Sequence, residues 1–396
     1  MLEIYDEIHG FIDLSEAEST VLGDCVVQRL RRIRQLGPAD LVYPGAVHTR
    51  FSHSLGTLYL AERIAKSAGI EDEGEVESLR LAALLHDVGH MPFSHALSSN
   101  HEKVSQEVVR SMLGDLLGKD LKHGVIDILA GSSRLSPILA SEVDADRLDY
   151  LLRDSKHTGV SYGNVDVDRA VRSARLVRTE AGWALGFVHG AETAVENILL
   201  ARTQLFRVVY YHRTVGAFEA VLRAAYAMLV EEGYLPSLDE ALEEKELWCM
   251  FDDCMVIEAL KRARKSEEDR LKELATSFLL RKPPKLVFEA YLSDGPGEGF
   301  RRELYEHALK GTAEELLVEK CGVPEGCLLV YLARIVPIGN VNRLLILHGE
   351  SAKPLVSLSS TLLSYLKGVS LSPLRVYAFP ECLRQATECL SRLAVL

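Results

Sequence analysis

The segment Glu77–Asp87, ESLRLAALLHD, constrains the fold more than any other. It has helical spacing and almost no polar face, with Leu79, Ala82, Ala83 and Leu85 directing burial to most sides. Such a helix belongs at the centre of a fold, covered by other helices. Yet it ends on His86 and Asp87, where an unpaired carboxylate is costly. Either the carboxyl group is neutralised or it meets a cation. Gly89 and Pro92 break the chain just beyond. Neighbouring side chains on a helix diverge by about 100°, so His86 and Asp87 share one partner only if it sits at the helix end.

Histidines crowd around this point: six of the 13, His48, His53, His86, His90, His95 and His101, lie between His48 and His101. An imidazole beside a carboxylate suits a divalent ion such as Mn, Fe, Zn, Ni or Mg, and the pattern does not choose among them. Further ligands must come from elsewhere. His53, in TRFSHSLG, opens a second helical pattern, and Asp146 lies in an acidic helical segment, SEVDADRLDYLLRD. The competing reading is a satisfied core pair at His86–Asp87, with the other histidines on the surface.

The rest of the chain predicts a mainly α fold. Leu55–Ala68, Glu75–Leu85, Glu192–Leu229 and Leu238–Leu279 carry apolar residues at helical spacing, and Ala174–Gly190 reads as a small β-hairpin. Arg281-Lys-Pro-Pro-Lys285 ends the helical pattern. Beyond it, LVFEAYL, CLLVYLARIV, RLLILHG and LRVYAF read as strands, with helices at Gly299–Lys310 and Ser357–Leu366. This divides the 396 residues into a helical domain over 1–280 and a smaller α+β region over 281–396.

A formal charge of −12 disfavours generic binding to nucleic acid. No apolar run approaches the roughly 18 residues of a membrane span, and MLEIYDEIHGF lacks a signal-peptide core, so a cytoplasmic location is expected. Seven scattered cysteines without a CxxC read as reduced thiols, with a pair such as Cys321 and Cys327 able to bridge in a disulfide-tolerant thermophile.

His53, His86-Asp87 and Asp146 match the H…HD…D signature of the HD phosphohydrolase superfamily. Five blocks extend the match: QRLRRIRQLGPADLVYPGAVHTRFSHSLG, LLHDVGHMPFSH, the His101-Glu102 pair, EVDADRLDYLLRDSKHTGV and ARTQLFRVVYYHRTVG. In this order, over roughly residues 3–230, the chain resembles the HD-domain deoxynucleoside triphosphate triphosphohydrolases of the SAM-and-HD-domain type. An HD domain without a preceding SAM domain is expected. The resemblance implies metal ligation by His53, His86, Asp87 and Asp146, with hydrolysis at the α-phosphorus to deoxynucleoside and triphosphate. His95 and His101 become candidates for acid–base work, with Glu102 orienting His101 and His90 contacting phosphate. Many relatives carry an acid where this chain has Ser98, which leaves the division of labour between His95 and His101 open.

The same resemblance assigns Arg50, Arg147, Arg202 and Arg213 to the phosphates, where arginine forks hold oxygens in pairs. It places Gln35 and Leu36 at the sugar, Asp154 at the 3′-hydroxyl and Tyr210 against the 2′ position, and Tyr150 near sugar and phosphate. Core packing is the alternative for both tyrosines. Asp24, Gln28 and Arg31 match positions that bind an activating guanine nucleotide in regulated relatives, although the Arg29–Arg34 run also reads as a plain amphipathic helix. A homodimer or homotetramer is implied. Two other functions stay open: an HD-type nucleotidase or phosphodiesterase on another phosphate ester, and a non-catalytic nucleotide sensor or nucleic-acid binder.

Overall fold

The apolar segment becomes the helix Glu73–Leu85, whose N-terminus is capped by the Asp72 side chain accepting from the Glu75 amide. Leu79 and the whole run Leu81–Leu85 have no solvent exposure. The helix is sandwiched between the helices Arg50–Ser67 and Gly114–Leu129, and Arg50–Ser67 also packs on Ala145–Thr158. That last contact needs a glycine. A Cβ at Gly56 would lie 1.8 Å from Asp149 Oδ1 and 2.6 Å from Arg153 Nη2, so any side chain there would displace a buried ion pair. The mainly α expectation holds in the computed structural model, which describes residues 2–97, 100–291, 299–333, 343–349, 351–358, 361–362 and 372–393.

Nine strands are described: β1 (Leu2–Asp6), β2 (Gly10–Leu14), β3 (Ala174–Thr179), β4 (Gly182–Val188), β5 (Lys285–Tyr291), β6 (Leu328–Leu332), β7 (Leu345–His348), β8 (Ser351–Pro354) and β9 (Pro373–Ala378). β1 and β2 form a hairpin that the sequence reading did not anticipate. β3 and β4 form the expected hairpin, but it is extended by late strands: β7 adds parallel to β4, and β8 antiparallel to β7. A third sheet, in the order β5-β9-β6, is antiparallel throughout.

The chain forms two compact units. The first contains Met1–Leu205, Leu238–Asp253 and Ile338–Lys367; the second contains Phe206–Ser237, Cys254–Pro337 and Gly368–Leu396. The sequence division at 280 followed element type, whereas packing runs across it. In the second unit the helices Arg213–Glu231 and Asp269–Leu279 join β5, β6 and β9, and Tyr377 donates to the Arg213 carbonyl at 2.7 Å. Its core gathers Phe288, Leu304, Leu317, Leu328, Val376 and Leu390. Periodicity tells which face of a helix is apolar, but not which partner will cover it.

Several expected elements are interrupted. Glu192–Leu229 divides into Glu192–Leu205, a π-turn over Phe206–Tyr210 and the helix Arg213–Glu231. Of the helix expected over Ser357–Leu366, residues 359–360 and 363–366 lie outside the described residues, and Leu355–Ser357 is a 3-10 turn.

The expectation of reduced thiols is overturned. Cys25–Cys249, Cys321–Cys389 and Cys327–Cys382 are disulfides, and Cys254 belongs to none of them. Cys321 ends a helix facing the C-terminal helix, whereas Cys327 leads into β6, so their closeness in sequence does not bring them together. No helix among the described residues is long and apolar enough to cross a membrane.

Candidate metal centre and active site

Three helix ends in the first unit bring the predicted ligands together. His53 lies in the first turn of Arg50–Ser67, His86 caps Glu73–Leu85, and Asp146 lies in the first turn of Ala145–Thr158. One ligand atom from each of His53, His86 and Asp146 falls within 4.8 Å of the others. Asp146 Oδ1 is 3.0 Å from His53 Nε2 and 3.9 Å from His86 Nε2. Both Nε2 atoms are buried and make no hydrogen bond.

The opposite ring nitrogens are held. His53 Nδ1 donates to Asp149 Oδ2 at 2.8 Å, and His86 Nδ1 to the Ala83 carbonyl at 2.7 Å. A proton on each Nδ1 leaves each Nε2 lone pair facing Asp146, the tautomer a metal-ligating histidine needs. Two imidazoles and a carboxylate therefore fit a divalent ion. Burial works against a charged His53, but Asp146 and Asp149 more than offset it and push its pKa up to about 10. A metal must displace that proton.

Asp87 closes the fourth side, with Oδ1 3.3 Å from His86 Nε2 and Oδ2 3.7 Å from His53 Nε2. The cation it meets is Arg50, whose Nη1 lies 2.5 Å from Asp87 Oδ2. Burial opposes ionisation of Asp87, yet Arg50, His86 and His90 hold it well below the usual carboxylate range.

A second histidine group stands beside the first. His90 and His101 stack at 3.9 Å between ring centroids, and His95 meets them edge-on at 4.8 and 5.1 Å. His90 is buried, His101 half-buried and His95 exposed. Burial and the nearby Arg50 push His90 well below its ordinary pKa and His95 down to about 3, and burial lowers His101 too, so the three rings are neutral in the free protein. Glu102 is exposed at the start of the helix His101–Met112. Ser98 lies outside the described residues.

His95 reaches its place through an unusual turn. Phe93 and Ser94 both have left-handed backbones, with φ of 55° and 56°. Each costs of the order of 1–3 kcal/mol and persists only where its surroundings impose it. Here Asp253 accepts from the Phe93 amide at 2.6 Å and from the Arg34 amide at 3.0 Å. The Ser94 hydroxyl donates to the Arg34 carbonyl at 2.6 Å and accepts from Arg50 Nε at 2.7 Å. Arg29, fully buried, donates to the carbonyls of Phe251 at 2.6 Å and His90 at 2.8 Å.

The remaining predicted residues distribute as follows. Gln35 is buried, its Oε1 has no hydrogen-bond partner, and its carbonyl faces Arg50 Nη2 at 3.5 Å; Leu36 follows it, half-buried. Tyr150 lies 6.5 Å from the His53 ring, and Asp154 Oδ1 accepts from His48 Nε2 at 2.7 Å. Arg147 pairs with Asp144, and Arg202 with Glu142 at 3.4 Å. Tyr210 and Arg213 belong to the second unit, where Tyr210 packs edge-on against Phe206. Arg31 Nε donates to Gln28 Oε1 at 2.8 Å, while Asp24 caps the Val26 amide and pairs with Lys245 at 2.7 Å.

Sequence reasoning missed the residues behind the site. Asp149 bridges His53, His9 Nε2 at 2.7 Å and the Arg153 fork at 2.9 Å. It lies one helical turn after Asp146, so its shared face was the available signal. His48, Arg29 and Asp253 gave none, because their partners are distant in sequence.

Residues 50–154 match the HD domain family, and residues 165–392 match the HD associated region. An uncharacterized protein of Methanocaldococcus jannaschii is 38% identical over 244 residues, 61% of this chain and 52% of its own. The chain thus spans about half the length of that relative. The deoxynucleoside triphosphate triphosphohydrolase SAMHD1 of Gallus gallus is 27% identical over 320 residues, covering 65% of this chain and 52% of its own. The crystal structure of a hypothetical protein from Aquifex aeolicus superposes with a TM-score of 0.77 at 26% identity, covering 98% of this chain and 99% of that one. With the HD match enclosing His53, His86, Asp87 and Asp146 and, after it, the HD associated region covering more than half of the chain, the chain belongs to the HD-domain phosphohydrolase family.

Proposed function

We propose that this protein hydrolyses deoxynucleoside triphosphates at the α-phosphorus, releasing deoxynucleoside and triphosphate. The observation that carries this reading is an oriented His53–His86–Asp146 donor set joined through Asp87, 3.3 Å from His86 and 3.2 Å from His90, to the histidine group that holds His95. Bound there by His53, His86, Asp146 and Asp87, a divalent ion supplies positive charge that polarises a phosphoryl oxygen and acidifies water.

The protein's own groups do the rest. A water oxygen bonds to the α-phosphorus as the bond from that phosphorus to O5′ breaks. O5′ takes a proton from the imidazolium of His95; burial and Arg50 push that ring's pKa down to about 3 in the free protein, so the imidazolium forms only once the anionic triphosphate lies against it. The proton given up by the attacking water restores that imidazolium. His101 and His90 back the ring and meet phosphate oxygens, with Glu102 orienting His101. Arg50, Arg147 and Arg202 hold the triphosphate, whose roughly four negative charges favour fork-shaped cations. Gln35, Leu36, Tyr150 and Asp154 grip the deoxyribose, with His48 fixing the Asp154 carboxylate. We further propose a homo-oligomer, and a nucleotide-responsive patch at Asp24, Gln28 and Arg31.

Product analysis tests the central claim. Each of the four deoxynucleotides and one ribonucleotide is incubated with Mn, Fe, Zn, Ni or Mg. Tripolyphosphate and deoxynucleoside are the expected products. Release of orthophosphate instead would make the protein a phosphohydrolase of another ester, and no turnover with any metal would leave only a binding role. Adding GTP or dGTP should raise the rate if the Asp24 patch responds to nucleotide.

A further inference from the structure

We propose a second divalent-metal site in the first unit, made by His189, Glu192 and His348 and suited to a zinc-like ion. It does not depend on the phosphohydrolase reading.

The site is a product of strand pairing. β4 and β7 run parallel with Val188 opposite Leu347, and the His189 amide continues the ladder by donating to the Leu347 carbonyl at 2.9 Å. Two adjacent parallel strands therefore end side by side, each with a histidine at its end. The His189 and His348 rings lie 4.5 Å apart, tilted by 36°. Glu192 then enters from the first turn of the next helix. Its Oε2 is fixed by the Gly190 amide at 2.7 Å, and its Oε1 lies 2.5 Å from His189 Nδ1. One ligand atom from each of the three falls within 4.8 Å of the others.

Two further features favour an ion over an ordinary polar cluster. His348 Nε2 is buried and has no hydrogen-bond partner, so its ring has an unused donor or acceptor. The donor set, two imidazoles and one carboxylate, is a zinc-type set with its fourth position left to solvent. An ion bound there would join residues 159 positions apart, since 348 − 189 = 159, and would clamp the β7–β8 hairpin onto β4. The chemistry is that of a staple for late-chain residues, with no substrate role.

Zinc titration, read as bound metal per chain and as a thermal shift, tests the proposal with zinc alone as the probe. The Asp146→Ala variant removes the first metal centre and isolates the second. It should still bind one zinc per chain. Adding His189→Ala, whose side chain is largely exposed, should abolish that zinc and the zinc-induced rise in Tm, while the metal-free Tm stays unchanged. His348→Gln should do the same. Cobalt should give a visible d–d spectrum in Asp146→Ala that His189→Ala removes. Equal zinc content and equal cobalt spectra with and without His189 and His348 would overturn the site. So would an Asp146→Ala protein that binds no zinc at all.

Discussion

The two histidine groups of the first unit sit side by side, yet the fold treats them in opposite ways. At His53 and His86 every far ring nitrogen is tied to an acceptor, and both rings aim Nε2 at one point. At His90, His95 and His101 the rings lean on one another, and one of them opens to solvent. The first arrangement fixes a donor direction, as a cation requires. The second keeps its rings neutral, with burial and Arg50 pushing the His95 pKa down to about 3, until an anion beside them favours a proton there. The same residue type thus serves two purposes, and the partners of the remote nitrogen decide which.

The largest effect should come from removing the point of convergence. Asp146→Ala deletes the carboxylate that faces both Nε2 atoms, so turnover should fall at least about a thousandfold and metal at this centre should be lost. Activity assays with direct metal analysis check this. Retained activity with retained metal would mean that the donor set is misassigned.

Within the second group, His95→Ala should cost about 10²–10⁴-fold in kcat, the usual range for a general acid–base residue. His101→Ala should cost less, because His101 is stacked behind and half-buried. The pH–rate profile separates the roles: the limb that reports the proton donor should vanish with His95 and survive without His101. The reverse order would hand the proton to His101.

The supporting layer of the metal group should show a smaller effect of a different kind. Asp149→Asn keeps the shape but weakens the hold on His53 Nδ1 and leaves the buried Arg153 short of a carboxylate. Outer partners of this sort are worth about 10–100-fold in metal affinity. Equilibrium metal binding should weaken by that factor, and stability should fall because a buried cation has lost half its pairing. An unchanged affinity would show that His86 alone sets the donor direction.

How much of this was legible in the sequence follows the same division. The apolar wrap of Leu79–Leu85 announced a central helix, and the breaks at Gly89 and Pro92 announced where its end would open. His53 and Asp146 could be named because they begin helices whose patterns are strong. Asp149 was half-visible, one turn beyond Asp146 on the same helix. His9, Arg29, His48 and Asp253 were not visible, because each acts through a partner brought near only by tertiary packing. The parallel joining of β7 to β4 was hidden for the same reason. Strand periodicity gives faces, and register between segments some 160 residues apart is settled by the fold.

The smallest effect tests whether the second group depends on support as the first does. Asp253 holds the Phe93 and Arg34 amides and so stabilises the left-handed pair that delivers His95. Asp253→Asn offers one carbonyl oxygen in place of two acceptors, so kcat should drop several-fold while metal affinity stays put. Burial, the dominant influence, pushes the Asp253 carboxyl up to about 7 in the folded protein, against the pull of its amide donors. A raised carboxyl pKa means that the folded state holds its proton more tightly than the unfolded chain. The associated stability is full below pH of about 4 and is lost as pH rises through about 7. Asparagine has no such proton. The stability difference between the parent and Asp253→Asn, followed by denaturant unfolding from pH 4 to 8, should therefore move steadily in favour of the variant. A difference that stays flat across that range would place Asp253 in its charged form throughout, and the turn at Phe93 would then rest on a full carboxylate.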